Sequence, residues 1–145
     1  PHRDLRRARA AAQSIVPTTT GAAKALTRIF PDLATVIGGC GIRVPVPNCS
    51  LTDITANVRK PAGIQEINAT FKEFSENALK DVLQYTEDPI VSVDINNSSF
   101  SCTFDSQMTS VIGTMVKVIG WYDNETGYSS RIIDTVKWLK EKDYL

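Results

Sequence analysis

From Gly63 the apolar residues recur every three or four positions, at Ile64, Ile67, Phe71, Phe74 and Ala78. That spacing predicts an amphipathic helix of about five turns. A second stripe, Ile132, Ile133, Val136 and Leu139, predicts a helix near the C-terminal end. A third helix is expected where Thr18-Thr19-Thr20-Gly21 leads into Ala22-Ala23-Lys24-Ala25-Leu26, running to about Phe30 until Pro31 stops it. Elsewhere the period falls to two. Ile42, Val44 and Val46 alternate, with Pro45 and Pro47 marking an edge or a strand end. Ile54, Ala56 and Val58 alternate against Thr55, Asn57 and Arg59, a strand with one polar face. Further strands are predicted at Ile90–Ile95, Cys102–Phe104 and Met108–Ile112, and Val116–Tyr122 is the most strand-like run of all. Strands in runs with a few long helices point to an α+β fold: a mixed, largely antiparallel sheet with long helices on one face. No linker, repeat or low-complexity tract divides the sequence, so one domain is expected over residues 1–145.

Composition narrows the class. Sixteen Lys and Arg balance sixteen Asp and Glu, which argues against general nucleic-acid binding and polybasic membrane attachment. A chain 42% hydrophobic and 22% charged has ordinary globular composition. No apolar run reaches the roughly 18–20 residues that span a bilayer, and PHRDLRRARA has no apolar stretch behind its charges, as a signal peptide would. The sequence starts without Met, so a fragment or a processed chain is expected. Cys40, Cys49 and Cys102 are too few and scattered for a disulfide framework, which makes a reduced, cytoplasmic setting the expectation.

Local charge is less even. Arg3, Arg6, Arg7 and Arg9 crowd together with only Asp4 to offset them, which suggests an irregular segment around anionic partners. Just beyond, Thr20 and Gly21 open a helix, where unpaired amides at the positive end of the macrodipole attract anions. Together with an arginine fork these groups suit a phosphate; the bland alternative is a solvated tail and an ordinary helix cap. Arg43 stands in an apolar strand, so it is either paired, facing a ligand, or turned outward on an edge. His2, the single histidine, has no carboxylate at fixed spacing and is not offered as a general base. The cysteines have no partner histidine, and no metal-ligand spacing exists. GGCGIRV departs from G-x-G-x-x-G because Val44 stands where the third Gly belongs. The Asn-x-Ser/Thr triplets at Asn48, Asn68, Asn96 and Asn97 are read as chance. Asn124, in the run Trp121-Tyr122-Asp123-Asn124-Glu125-Thr126-Gly127-Tyr128, is either a helix N-cap or an amide partner for a carboxamide.

Three long motifs converge on one family. DLRRARAAAQSIVPTTTGAAKA (residues 4–25), RVPVPN (residues 43–48) and KVIGWYDNETGYSSR (residues 117–131) resemble the C-terminal half of phosphorylating glyceraldehyde-3-phosphate dehydrogenase, in its bacterial form. The likeness covers essentially the whole chain in the right order. It implies that Thr20, Gly21 and Arg7 contribute to phosphate binding, that Arg43 grips the substrate phosphate, and that Asn124 bonds the nicotinamide carboxamide of NAD. Tyr122 and Tyr128 would shape the pocket. The resemblance further implies a homotetramer in which the basic loop over residues 1–14 reaches a neighbour's NAD site. It places the catalytic cysteine, its histidine and the NAD-binding half before Pro1, so this segment is expected to be inactive alone. Glyceraldehyde 3-phosphate and inorganic phosphate are the implied substrates. A relative acting on erythrose 4-phosphate and a non-catalytic anion-binding or assembly module are the alternatives. The tail-helix stripe is expected to face something outside this segment, and the sheet face opposite the helices a subunit interface.

Overall fold

The structure, a computed structural model, describes residues 2–144. Contacts gather the chain into two compact units, residues 1–47 and 48–145, a boundary at which the sequence shows no composition change.

The first unit begins with turns. Ala8 N–H donates to the Asp4 carbonyl and Arg9 N–H to that of Arg6, and a 3-10 turn covers Ala11–Gln13. Strand β1 (Val16–Thr18) pairs antiparallel with β2 (Gly41–Arg43), and helix α1 (Ala22–Ile29) follows β1. The helix ends where expected, because Pro31 opens a separate 3-10 turn. Strand β2 stops at Arg43 rather than Val46: Pro45 and Pro47 carry no N–H for a ladder.

The second unit is a four-stranded sheet in the order β3-β6-β5-β4, with β3 (Ser50–Asn57), β4 (Leu83–Thr86), β5 (Cys102–Ile112) and β6 (Met115–Tyr122). The β3–β6 and β5–β6 pairs are antiparallel and β4–β5 is parallel, the mixed, largely antiparallel sheet of an α+β fold. Helix α2 (Ile64–Glu76) packs on β4 and β5, where Phe71 stacks on Phe104 at 3.9 Å between ring centroids. Phe104, Leu83, Val116 and Ile119 are buried.

Ile90–Ile95 is not a strand: Ser92–Ile95 forms a 3-10 turn, held by Asp94 Oδ2 accepting from Val91 N–H at 2.7 Å. Met108–Ile112 is not separate from Cys102–Phe104. One strand runs through both, with a register shift between Asp105 and Ser110. Its polar residues break the alternation but find partners, Asp105 with the Trp121 indole, Ser106 with the Thr86 carbonyl and Thr109 with Asn68. Helix α2 ends before Ala78 because the Asn77 side chain donates to the Glu73 carbonyl at 2.8 Å and closes the last turn. Strand β4 has no counterpart in the sequence reading. Strand β3 is longer than its alternating stretch, and Ile54 remains 51% exposed.

Helix α3 (Thr126–Glu141) completes the unit. Its first turn lies so close to the chain at Phe100 that a Cβ on Gly127 would sit 2.8 Å from the Phe100 carbonyl oxygen, which only glycine avoids. Ile132, Ile133 and Val136 on its apolar stripe are each about half exposed. No helix among the described residues is long and apolar enough to cross a membrane.

Candidate functional site

Four of the five expected binding residues lie in the first unit. Thr20 ends the extended stretch after β1, and its Oγ1 accepts from the Ala22 N–H at 3.2 Å, opening α1. An accepting hydroxyl keeps its own proton free to donate, as an anion requires. Gly21 has φ −84°, which any residue can adopt, and a Cβ there would meet nothing within 4 Å. The backbone at Gly21 is unobstructed. Arg7 is held against the same stretch: its Nη2 donates to the Thr19 carbonyl at 3.3 Å, while Nε lies 3.6 Å from Asp4 Oδ2.

Arg43 reaches this stretch from β2. In the β1–β2 register Thr18 faces Gly41 and Val16 faces Arg43. The Arg43 side chain folds back over Gly41, where a Cβ would stand 3.4 Å from its Nη2 and 2.9 Å from Thr18 Oγ1. The bare backbone at Gly41 thus makes room for the guanidinium beside buried Thr18. No carboxylate among the described residues pairs with Arg43, so its charge faces outward from an edge strand. Arg7 thus donates to Thr19, and Arg43 lies over Gly41, the strand partner of Thr18, in the segment that leads into Thr20 and Gly21.

Asn124 lies in the second unit, between β6 and α3. It is not the helix cap. Asp123 does that work: its Oδ1 accepts from the Glu125 and Thr126 amides at 2.9 and 2.8 Å, and its Oδ2 from the Asn48 side chain and the Asn97 amide, both at 2.9 Å. Asp123 is 1% exposed, and these donors hold its carboxyl down to about 2, led by the Thr126 and Asn97 amides, against the desolvation that would raise it. Asn124 is left exposed, with Ser50 Oγ donating to its Oδ1 at 3.1 Å. The unspent Nδ2 donors suit a carboxamide carbonyl, so the residues present fit an amide-bearing cofactor on this side. Tyr122 is half-buried and Tyr128 is 71% exposed.

Asp123 and Ser50 are absent from the sequence-level site. Asp123 had a local signal, an acceptor side chain just before an apolar-periodic helix. Ser50 had none, since its nearness to Asn124 comes from the pairing of Ser50 with Tyr122 across the sheet. Two cysteines are poor nucleophiles: burial pushes the Cys49 thiol up, with the Asp123 charge adding to it, and burial does the same at Cys102. Cys49 Sγ also donates to Asn96 Oδ1 at 3.1 Å.

Residues 1–124 match the family described as Glyceraldehyde 3-phosphate dehydrogenase, C-terminal domain. The chain belongs to that family. A glyceraldehyde-3-phosphate dehydrogenase of Geobacillus stearothermophilus is 51% identical over 143 residues, 98% of this chain and 43% of the relative. Glyceraldehyde-3-phosphate dehydrogenase 2 of Streptomyces avermitilis is 56% identical over 135 residues, 92% of this chain and 40% of the relative. The Mycobacterium avium enzyme is 53% identical over 136 residues, 94% and 40%. The chain thus spans about two-fifths of the length of these relatives.

Proposed function

We propose that these residues supply the phosphate sites and one cofactor contact of a phosphorylating dehydrogenase that converts glyceraldehyde 3-phosphate, inorganic phosphate and NAD to 1,3-bisphosphoglycerate. The observation that carries the reading is Arg43, a guanidinium seated over Gly41 beside Thr18 with no acid partner among the described residues. A planar fork in this state is matched to a phosphate ester. Arg7 adds a second guanidinium, and the Thr20 hydroxyl with the open backbone at Gly21 adds neutral donors. Arg43 is assigned to the substrate phosphate. Arg7, Thr20 and Gly21 are assigned to holding inorganic phosphate or the substrate phosphate. Asn124 is assigned to orienting the nicotinamide through its carboxamide; NAD, when bound, supplies the hydride acceptor. The nucleophile is assigned to the part of the enzyme outside these 145 residues; of the three cysteines here, Cys49 and Cys102 have thiols raised by burial. The enzyme assembles as a homotetramer in the cytoplasm. Its basic loop over residues 1–14 reaches a neighbouring subunit, and the exposed stripe of α3 and the open sheet face are covered by other parts of the assembly.

The test uses a complete chain, made by joining residues 1–145 behind the N-terminal part of the Geobacillus stearothermophilus relative. Arg43→Ala removes charge-assisted hydrogen bonds worth about 2–3 kcal/mol, and the KM for glyceraldehyde 3-phosphate rises about 30- to 150-fold. With unphosphorylated glyceraldehyde the variant performs as the parent does. An unchanged KM for the phosphorylated substrate, or an equal loss with both, removes Arg43 from the phosphate site.

A further inference from the structure

The Asn124 amide is anchored by a residue that neither the motifs nor the family likeness single out. Its backbone is fixed: Asp123 before it is buried and holds four donors, and two of those donors are the amides of Glu125 and Thr126 immediately after it. Only the two side-chain torsions of Asn124 remain soft. An exposed amide on two free torsions samples several orientations, and selecting one on binding has an entropic cost. Ser50 meets that amide from the neighbouring strand. It is the first residue of β3 and pairs directly with Tyr122, so the ladder sets where its hydroxyl stands. Ser50 Oγ donates to Asn124 Oδ1 at 3.1 Å, and Nδ2 has no acceptor among the described residues. The carbonyl end is tethered and the amino end is turned loose.

We propose that Ser50 is a positioning residue for cofactor recognition: it holds the Asn124 side chain in the orientation that presents Nδ2 to a carboxamide carbonyl. The proposal rests on the reading of Asn124 as partner of the nicotinamide carboxamide. It assigns Ser50 no contact with the cofactor. Asp123 fixes the backbone on which the tether acts, so the two anchors restrain different degrees of freedom of one residue.

Calorimetric titration of the complete chain with NAD, without substrate, tests the tether independently of turnover. Ser50→Ala is expected to weaken NAD binding about three- to tenfold, the release of one held side chain. Ser50→Thr, which keeps the hydroxyl, restores most of the affinity. In an Asn124→Ala background Ser50→Ala has no further effect, because the side chain it positions is gone. The KM for glyceraldehyde 3-phosphate is unchanged in Ser50→Ala. Parental NAD affinity in Ser50→Ala, alongside a loss in Asn124→Ala, overturns the tether and leaves the role of Asn124 standing. Unchanged affinity in Asn124→Ala overturns both. Additive losses in the double variant show Ser50 acting only through the general fold, and overturn the tether alone.

Discussion

Residues 1–47 carry seven Lys and Arg against two Asp and Glu, while residues 48–145 carry nine against fourteen. The neutral total therefore hides two units of opposite sign. They also treat their charges differently. In the larger unit Asp123 is buried under four donors, and Asp105 is 3% exposed with the Trp121 indole donating to it at 3.0 Å. Among the described residues of the smaller unit Arg43 has no acid partner, Arg7 has one loose contact with Asp4, and only Val16 and Thr18 are buried. A charge whose bonds are filled internally is there for the fold. A charge held in place with its bonds unfilled is available for a ligand.

Substitutions can break this contrast. The largest effect is expected from Phe104→Ala, which removes a ring 2% exposed and stacked on Phe71, at about 3–5 kcal/mol of stability by urea unfolding. A loss under 1 kcal/mol would show that the sheet–helix layer is not the main source of stability. Next comes acid. The Asp123 carboxyl is lowered from 3.8 to about 2 in the folded state, so it contributes stability that is present above its unfolded value and lost as pH falls through about 2. The contribution is about 2 kcal/mol. The stability gap between the parent and Asp123→Asn should therefore be full near neutrality and close across this acid window; a gap independent of pH would contradict the assignment. The smallest stability effect belongs to the other unit. Arg7→Ala should shift unfolding by no more than about 0.5 kcal/mol while raising the phosphate concentration needed for half-maximal rate. A large loss of stability would make Arg7 a structural residue and erase the distinction.

Much of the candidate site is nominated by runs of neighbouring residues: Thr20 beside Gly21, Arg7 among arginines, Asn124 between Tyr122 and Tyr128. The helices were equally legible, since Ile64, Ile67 and Phe71 declare their face by spacing alone. What escaped was set by pairing across the sheet. Strand β4 is four residues long and is ordered by its parallel neighbour β5. The polar run from Asp105 to Thr109 reads as a break, yet its side chains are bonded to Trp121, Thr86 and Asn68, all distant in sequence. Ile90–Ile95 failed the other way: its alternation looks extended, but the Asp94 carboxylate bends back to the Val91 amide. Short-range hydrogen bonding outcompeted a weak period-two pattern there.

The carboxylate of Asp123 joins the chain at Asn48, Asn97 and the opening of α3, partners 75 residues away, 26 away and next door. Such a junction cannot close until both remote stretches have arrived, because the loops that separate them must be shut first. The two amides of the helix opening are local to Asp123, whereas its bonds to Asn48 and Asn97 form only once those distant stretches are in place. A chain in which either stretch is out of place loses part of the footing of Asn124, so on the proposed reading of that residue cofactor affinity reports whether these remote stretches are in place.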